Sequence, residues 1–423
     1  MRILWIVNLV PCAVAEKLNI ISTNLGGWVE SMANEITKTS GTELAIACKC
    51  ESKMSFCEKI DCITYYSVPY SSSTSFETLE KNCESIIKDF KPDIIQIEGT
   101  EFLHAKAMLN AANSLRIKTV VSLQGILSGQ YNYQCGQLQI DDMMFSKSIK
   151  NICAAWILHL RKTHWFKKRI GPENDIISAA KYVMGRTTWD RAHAYRINPN
   201  AEYFTCNRTL RAPFYKKNWS PEKMERHSVY VGNGYFALKG AHFVVMALPQ
   251  LILEYPDIKV YVAGDKPFCE KDKRPFYKRG YGLYLKKLIK DLDVGDHIVF
   301  TGPLKADEVA ERLSKSNAYV LCSAIENSPN TLGEAMMVGT PCVAAYVGGV
   351  PDMAKDEEEV LFYRNDDPAL LAWNIKRIFD DDTLAVNLSE NARKHALITH
   401  DPKLNAQKLI SNYMQILNNK KED

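Results

Sequence analysis

The sequence contains no hydrophobic run long enough to cross a bilayer. A membrane helix needs roughly 20 apolar residues, but the apolar start of this chain covers residues 1–14, has no basic flank beyond Arg2, and has no stop-transfer partner. A secretory signal is therefore disfavoured. We expect this run to form a buried first strand and the protein to lie in the cytoplasm, with contact to the inner face of the membrane left open.

The chain also lacks a strong charge excess, a tandem repeat and a low-complexity tract. Its 53 Lys and Arg against 49 Asp and Glu leave a formal charge of +4. So small an excess does not indicate nucleic-acid binding, although mild basicity suits anionic ligands or an anionic membrane surface. With 46% hydrophobic and 24% charged residues, the composition is that of a packed globular protein.

The 12 cysteines occur without a secretion signal, which favours reduced thiols over a disulfide framework. One group has enough thiolates for a zinc ion: Cys48, Cys50, Cys57 and Cys62. Its spacing is not that of a zinc ribbon. We interpret these cysteines as small hydrophobic residues of two strands, Leu44–Cys48 and Cys62–Val68.

At 423 residues the chain is too long for one core, so we expect two domains of about 200 residues each. Short apolar runs alternate with helical patterns, which is typical of parallel sheets built from βαβ units. In the first half the predicted strands are Arg2–Val7, Leu44–Cys48, Ile63–Val68, Asp93–Ile97 and Thr119–Leu123, and the predicted helices are Trp28–Thr39, Phe76–Asp89 and His104–Leu115.

A long, basic helical segment, Asp141–Asp190, interrupts this alternation, which restarts near residue 228. The later predicted strands are Ser228–Val231, Lys259–Ala263, His297–Thr301, Ala318–Cys322 and Cys342–Ala345, and the helices are His242–Glu254, Tyr284–Asp291, Ala306–Ser314 and Pro329–Val338. With a linker near Arg211–Arg226, we expect an acceptor-side domain at 1–215 with an insertion at about 141–190, a donor-binding domain at 216–395, and a terminal helix at 396–423 packing back on the first domain. The predicted fold is α/β, with two doubly wound Rossmann-like domains facing a central cleft that holds the ligands.

The most informative motif runs from Tyr319 to Met353. A strand is followed by a helix whose start has Ser328 as the predicted N-cap and Pro329 at the first position, and whose end is marked by Gly339. Such a helix N-terminus offers backbone N–H groups and a positive dipole end, which suit a diphosphate without a metal ion.

Two carboxylates belong to this motif: Glu326 precedes the helix and Glu334 lies within it. One can face a sugar ring while the other accepts hydrogen bonds from a diol. The seven-residue separation, followed by Gly339-Thr340-Pro341 and Gly348-Gly349-Val350-Pro351, resembles the family-4 glycosyltransferases of the GT-B fold. The alternative is that both glutamates lie on a solvated helix face.

The resemblance implies roles for the residues around this helix. The position of Glu334 binds the nucleotide ribose, and that of Glu326 lies beside the donor sugar and diphosphate. The other expected donor contacts are Asn330, Thr331 and Leu332 at the helix start, together with Gly27 and Lys239.

Lys239 precedes Gly240 in a segment that links a strand to the next helix. Its ammonium could neutralise the departing diphosphate, and the resemblance includes this Lys-Gly pair. Many members of the family have an arginine where this chain has Asn233, so Lys266 or Arg274 would have to supply a second positive charge. The alternative is that Lys239 is an ordinary surface residue.

A glycine loop, Asn24-Leu25-Gly26-Gly27-Trp28, follows the first strand. Because glycine lacks a Cβ, such a loop can pass within contact distance of a ligand. In the family this loop lies close to the donor phosphates and the acceptor.

The predicted strand at residues 93–97 ends in a polar turn that holds Glu98, Glu101 and His104. The turn resembles a subset of bacterial polysaccharide glycosyltransferases, and the likeness continues at Ser122–Ile126 and Gly185–Arg191. Glu101, His104 and Glu98 are therefore the acceptor-side candidates, and the expected catalytic set is Glu326, Lys239, His104 and Glu101. His104 packing on the next helix is the alternative. Arg186, Trp189, Asp190 and Arg191 are expected to form a structural ion-pair cluster rather than contact an anionic ligand.

Aromatic and basic residues alternate in the insertion around Trp156, Leu158, Leu160, Trp165 and Phe166, over residues 150–170. This composition suits a helix lying on an anionic bilayer and equally a covering helix with snorkelling lysines. Both interpretations stay open. The acidic pair Asp141–Asp142 and the acidic run Asp380–Asp382 are interpreted as solvated charge rather than metal ligands.

The sequence therefore predicts a metal-independent glycosyltransferase without a cofactor. Its donor would be a nucleoside diphosphate sugar, with uridine as the default base, and its acceptor a hydroxyl of a glycan or undecaprenyl-linked glycan in capsule, O-antigen or other surface polysaccharide synthesis. Retention of the anomeric configuration is implied by the family resemblance. A nucleotide-sugar 2-epimerase of the same architecture and a catalytically inactive binding protein are the alternatives.

Overall fold

The computed structural model describes residues 1–18, 27–50, 55–71, 73–138, 149–264, 266, 268 and 280–419, without the side chains at 149–152, 154–155, 158 and 161–162. The chain forms two compact units. The first unit comprises Met1–Gly129, Lys167–Arg211 and Thr399–Asp423, and the second comprises Gln130–Phe166 and Ala212–Ile398.

The first unit is built on an eight-stranded sheet with the order β3-β4-β2-β1-β5-β6-β7-β8. Only the pair β3–β4 is antiparallel. Its strands are β1 (Arg2–Val7), β2 (Glu43–Cys50), β3 (Cys57–Ile60), β4 (Ile63–Pro69), β5 (Ile94–Glu98), β6 (Lys118–Ser122), β7 (Tyr182–Gly185) and β8 (Glu202–Thr205). Its helices are Cys12–Lys17, Gly27–Thr37, Phe76–Phe90, Leu103–Ser114, Thr188–Ile197 and Pro402–Asn418, while Leu127–Gln130 and Ile149–Ala179 have residues in both units.

The central strands of this sheet have both faces buried, because helices cover each side, and most of their residues are accordingly apolar. On one side, the terminal helix Pro402–Asn418 is held by a buried polar contact. The Tyr413 hydroxyl accepts a hydrogen bond from the Trp5 indole N–H at 2.9 Å and donates to the Gln96 side-chain oxygen at 2.5 Å. This satisfied network fixes the helix against β1 and β5.

The second unit contains a six-stranded, all-parallel sheet with the order β11-β10-β9-β12-β13-β14. Its strands are β9 (Glu225–Val231), β10 (Lys259–Ala263), β11 (Ile298–Gly302), β12 (Ser316–Leu321), β13 (Cys342–Ala345) and β14 (Leu361–Tyr363). Its helices are Ala212–Lys216, Ala241–Glu254, Gly280–Asp291, Ala306–Lys315, Asn330–Val338, Pro368–Asp380 and Asp382–Thr399. Short 3-10 turns are found at Tyr131–Tyr133, Ala237–Lys239, Gly295–His297 and Val350–Asp352.

Two parallel α/β sheets are what the alternating sequence pattern predicts. Four strands were missed because each is only three or four residues long: β3, β7, β8 and β14. Four cysteines were interpreted as small hydrophobic residues rather than zinc ligands. Of these, Cys48 and Cys50 are buried, whereas Cys57 and Cys62 are exposed.

The division of the chain differs from the predicted bounds. It falls between Arg211 and Ala212 rather than at residue 215, and residues 130–166 group with the second unit, whereas the sequence places the insertion in the first domain. Local contacts explain the grouping. The His242 ring lies 3.1 Å from the carbonyl oxygen of Gly136, and the Asn365 amide donates to Gln137 at 2.8 Å.

Candidate active site

Three loops of the second unit meet at the carboxyl ends of its central strands. They follow β9, β12 and β13, which are consecutive in the sheet. The Ala324 N–H donates to the Leu238 carbonyl at 2.8 Å, and the Gly349 N–H donates to the Glu326 carbonyl at 3.0 Å. Backbone hydrogen bonds therefore join the Lys239, Glu326 and Gly348 loops into one surface.

Lys239 and Glu326 form an ion pair on this surface. The Lys239 ammonium donates to Glu326 Oε1 at 2.5 Å, and the two side chains are 33% and 14% exposed. The structure thus brings together the two residues that the sequence assigns to the diphosphate and to the donor sugar. Because the ammonium is partly exposed, an anionic ligand can replace the carboxylate as its partner.

Glycines make this approach of the loops possible. Gly240 and Gly348 have φ values of 72° and 53°, which are unfavourable for other residues. A Cβ on Gly240 would lie 1.7 Å from the Cys322 carbonyl oxygen, and one on Gly348 would lie 2.0 Å from that of Glu326. The backbone around Lys239 and Glu326 therefore requires glycine at both positions.

The helix after Glu326 begins at Asn330, and Pro329 is its N-cap with no side-chain capping hydrogen bond. The prediction that Ser328 caps this helix and Pro329 occupies its first position is wrong, because Pro329 has an extended ψ of 120°. The helix ends as predicted, with Gly339 in the left-handed conformation at φ 84°. Its first turn, without a side-chain cap, leaves amide donors and the positive dipole end for an anion.

The predicted donor residues on this helix have different environments. Glu334 is only 3% exposed, so the alternative of a solvated helix face is wrong for this carboxylate. Asn330 is half-buried and Thr331 is exposed. Leu332 is fully buried and its N–H donates to the Pro329 carbonyl at 3.1 Å, so the predicted donor contact through Leu332 is not supported.

Of the two residues expected to supply a second positive charge near Lys239, the structure describes only Lys266. Asn233 accepts a hydrogen bond from the Tyr235 N–H at 2.9 Å and stabilises the local turn. The Lys266 ammonium lies over the Phe268 and Phe300 rings at 4.8 and 5.4 Å. Arg274 lies outside the described residues.

In the first unit, the glycine loop is described only from Gly27, which begins the helix Gly27–Thr37; residues 24–26 lie outside the described part. A Cβ on Gly27 would lie 2.9 Å from the Arg211 side chain. The close packing of Gly27 is therefore explained by Arg211, and its contact with the donor stays a prediction.

Glu101 lies near the end of β5 and is held by two hydrogen bonds. Its carboxylate accepts from the Asn8 amide at 2.7 Å and from the Thr100 N–H at 2.9 Å. Burial raises the pKa of Glu101 above its usual value, and these donors partly offset that effect. Its role toward an acceptor stays a prediction.

His104 does not face an acceptor. The residue is fully buried, and its ring packs 5.7 Å from the Phe102 ring and 6.0 Å from the Tyr70 ring. Burial lowers the pKa of His104 to about 3, so the imidazole is neutral. The structure therefore supports the packing alternative and contradicts the acceptor-side and catalytic assignment of His104.

Arg186 and Asp190 do not form the expected structural pair through their side chains. The Asp190 carboxylate takes part in a capping box with Thr187 and accepts from the Arg186 backbone N–H at 3.0 Å. The Arg186 guanidinium instead donates to the carbonyl oxygens of Leu123 and Gln124 at 3.5 and 3.3 Å. Asp190 is structural, whereas the guanidinium of Arg186 faces a cavity.

The comparisons with known proteins agree with this geometry. Residues 212–395 match the family described as glycosyl transferases group 1. This match covers most of the second unit and less than half of the chain. Among curated relatives, the N-acetyl-alpha-D-glucosaminyl L-malate synthase of Bacillus anthracis is 24% identical over 253 residues, which cover 58% of this chain and 59% of the relative. This chain is therefore aligned with less than two thirds of that enzyme.

Solved structures show the fold of the whole chain. The sucrose-phosphate synthase of Thermosynechococcus elongatus has a TM-score of 0.71 and 17% identity over 98% of this chain and 99% of its own. HepE from Anabaena in complex with UDP-glucose has a TM-score of 0.67 and 15% identity over 98% of this chain and 100% of its own. The two parallel-sheet domains are therefore those of the GT-B fold.

In the first unit, the sequence pattern missed Arg208, which follows β8. The signal was a polar turn, Cys206-Asn207-Arg208, at the end of a strand too short to be recognised. Glu98, the third acceptor-side candidate, is buried beside this arginine, with Glu98 Oε2 and Arg208 Nη2 3.4 Å apart.

The helix Ile149–Ala179 exposes large apolar side chains, namely Trp156, Ile157, Leu160 and Trp165. The side chain of Leu158 and residues 141–148, including Asp141 and Asp142, lie outside the described part. No described helix has the length and apolarity required to cross a membrane. At the other acidic run, Asp380 and Asp382 pair with Lys376 and Arg226.

Proposed function

We propose that this protein is a metal-independent, retaining glycosyltransferase that uses a nucleoside diphosphate sugar, with uridine as the base. The observation that carries the proposal is the Lys239–Glu326 pair at 2.5 Å beside a helix whose N-terminus has no side-chain cap. This arrangement supplies a mobile cation and aligned backbone donors for a diphosphate. The UDP-glucose named for HepE supports uridine.

Donor binding makes phosphate oxygens the partners of Lys239 in place of Glu326. In the transfer step the bond between the anomeric carbon and the β-phosphate oxygen breaks, and its electron pair leaves with the diphosphate. The acceptor oxygen forms a bond to the same face of the anomeric carbon, and its proton passes to the departing phosphate. Lys239 and the helix N-terminus stabilise the charge that develops on that leaving group.

The two glutamates contact different parts of the donor. Glu334, buried in the second turn of the helix, accepts hydrogen bonds from the ribose hydroxyls. Glu326, released from Lys239, faces the sugar. The two carboxylates thus orient the unreacting and the reacting ends of the donor.

The test is to follow nucleoside diphosphate release from a panel of UDP-, ADP- and GDP-sugars, in excess EDTA, with and without added acceptors. Release that depends on an acceptor and persists in EDTA supports the proposal. Release only after Mg²⁺ or Mn²⁺ is added contradicts metal independence, and conversion of the sugar without any acceptor indicates an epimerase.

The acceptor in this proposal is a glycan or lipid-linked glycan of a surface polysaccharide, used at the cytoplasmic face of the membrane. The exposed side chains of Trp156, Leu160 and Trp165 lie on a helix that continues into Lys167 and Lys168. Apolar anchors next to cations suit the surface of an anionic bilayer.

Cosedimentation with phosphatidylglycerol vesicles and with phosphatidylcholine vesicles tests the membrane contact. Binding to the anionic vesicles should fall at least fivefold in the Trp156→Ser, Trp165→Ser double variant. Trp373→Ser is the matched control, because Trp373 is also about half exposed (51%) but lies on a different helix. Equal sedimentation of wild type and double variant would remove this part of the proposal.

A further inference from the structure

A cavity that opens to solvent lies within the first unit at the carboxyl ends of β5 to β8. Three charged residues line it: Glu98, Arg186 and Arg208. Trp28 forms part of its apolar wall, and Ser122 and Asn207 add hydrogen-bonding groups. A cavity with a few convergent polar groups at strand ends is the usual form of a ligand site.

The cationic groups of this cavity are poorly compensated by Glu98. The carboxylate accepts hydrogen bonds from the side-chain amides of Gln96 and Gln124. Arg208 approaches it only to 3.4 Å, which is long for a guanidinium–carboxylate contact. Most of the hydrogen-bonding capacity of Arg208 is therefore not used by Glu98.

Arg186 is even less satisfied. Its Nε atom is buried and has no hydrogen-bond partner among the described residues, while Nη2 makes only the two carbonyl contacts of 3.3 and 3.5 Å. The nearby Asp190 carboxylate is engaged by backbone N–H groups and by the Tyr203 hydroxyl. A buried donor without a partner is costly, and the Arg186 side chain belongs to the lining of the cavity.

The pKa of Arg208 points in the same direction. Burial, and then the neighbouring Arg186, lower the pKa of Arg208 to about 9. A pKa below the usual range means that the folded protein disfavours this cation. An anion between the two guanidinium groups would remove that penalty.

Trp28 orients the Arg208 guanidinium so that it can bind a planar or tetrahedral anion. The guanidinium carbon lies 3.4 Å from the centre of the indole ring, so the ring fixes the plane of the guanidinium. A fixed guanidinium presents parallel N–H donors that match carboxylate or phosphate oxygens.

We propose that this cavity binds the carboxylate or phosphate group of an acidic acceptor, held by Arg186 and by Arg208 stacked on Trp28. That the bound molecule is the acceptor rests on the proposed glycosyltransferase function. The presence of an anion site in the first unit does not. The other polar groups of the cavity, Ser122 and Asn207, then contact hydroxyls of the same molecule.

Isothermal titration of the full chain with glucuronate, inorganic phosphate and glucose tests the proposal. Glucuronate and phosphate should bind and glucose should not, with the tighter anion showing whether a carboxylate or a phosphate is preferred. Arg186→Met should weaken binding at least tenfold, and its melting temperature, compared with that of wild type, shows whether the fold is intact. Arg208→Gln should also weaken binding at least tenfold.

Arg364→Gln is the matched control, since this arginine is 78% exposed and lies in the second unit. It should bind both anions like wild type. Equal weak binding of all three probes, or undiminished anion binding by Arg186→Met and Arg208→Gln, would overturn the proposal. UDP titrated separately distinguishes the two claims: anion binding without UDP binding keeps the cavity and contradicts the glycosyltransferase, and UDP binding without anion binding does the reverse.

Discussion

Lys239 and Glu326 form an ion pair at 2.5 Å between loops that follow two neighbouring parallel strands, β9 and β12. They are 87 residues apart in the chain. Their contact results from the order of strands in the sheet, and the left-handed Gly240 and Gly348 let the surrounding loops close on each other. The pair places a cation beside a carboxylate at the point where we propose that a diphosphate binds.

The two glutamates should affect different kinetic constants. Glu334→Gln should raise the KM for the donor at least tenfold with little change in kcat, because it contacts an unreacting part of the donor. Glu326→Gln should lower kcat by about 100-fold, because it faces the reacting sugar. Steady-state kinetics measures both, and Glu358→Gln, at a carboxylate that is 65% exposed, is the control. Equal and small effects of the two substitutions would contradict the site assignment.

Lys239 should act mainly on the leaving group. Lys239→Met keeps most of the length of the side chain and removes its charge, so kcat should fall by about 100- to 1,000-fold, the effect typical of a lost oxyanion donor. A donor with a better leaving group should be less affected, which a comparison of sugar nucleotides with sugar fluorides measures. An equal loss with both kinds of donor would assign Lys239 a structural role.

Gly240→Ala should destabilise the loops that carry Lys239 and Glu326. The new Cβ would meet the Cys322 carbonyl oxygen at 1.7 Å at a φ of 72°, so we expect a loss of at least about 1–3 kcal/mol in the free energy of unfolding. Thermal or urea unfolding measures this loss. Gly171→Ala is the matched control, because a Cβ there meets nothing within 4 Å and the residue is helical, so stability should stay equal or rise. If Gly240→Ala left the free energy of unfolding unchanged, Gly240 would not approach the Cys322 carbonyl as closely as the structure shows.

His104 should affect acid stability and not transfer. Its pKa falls from 6.5 to about 3 in the folded protein, so the unfolded chain binds the proton more readily, and stability is lost as the pH falls below 6.5. Between pH 7 and pH 5 this residue alone removes about 2 kcal/mol. His104→Leu should therefore lose less stability over that interval than wild type, and its turnover should stay within about threefold. If wild type and His104→Leu lost the same stability between pH 7 and pH 5, or if the variant lost most of its turnover, His104 would regain a functional role.

The alternation of apolar runs and helices was sufficient to predict both parallel sheets, because buried parallel strands are apolar along their whole length. Strands such as β8 (Glu202–Thr205), with only one buried residue of four, give no such signal. The donor-side pair was also predictable, since Lys239 and Glu326 each follow a recognisable strand. The sequence could not predict which turn residues face inward. His104 and Glu101 lie three residues apart, yet only tertiary packing places the histidine against the rings of Phe102 and Tyr70.

Arg208 shows the same limit for the cavity of the first unit. It follows the unrecognised strand β8, and its partners Trp28 and Glu98 lie more than 100 positions away in the sequence. The sequence predicted that Arg186 belongs to a structural ion-pair cluster with Asp190 and its neighbours, because pairing between residues close in sequence is the simplest expectation. The tertiary structure instead aims its guanidinium at the cavity.

Titration of UDP into wild-type protein and Lys239→Met in excess EDTA tests whether Lys239 binds the donor diphosphate without a metal ion. We expect saturable binding to wild type without any divalent cation and at least tenfold weaker binding to Lys239→Met, because the ammonium and the helix N-terminus hold the diphosphate. Absence of binding until Mg²⁺ is added, or equal affinity of the two proteins, would contradict this expectation.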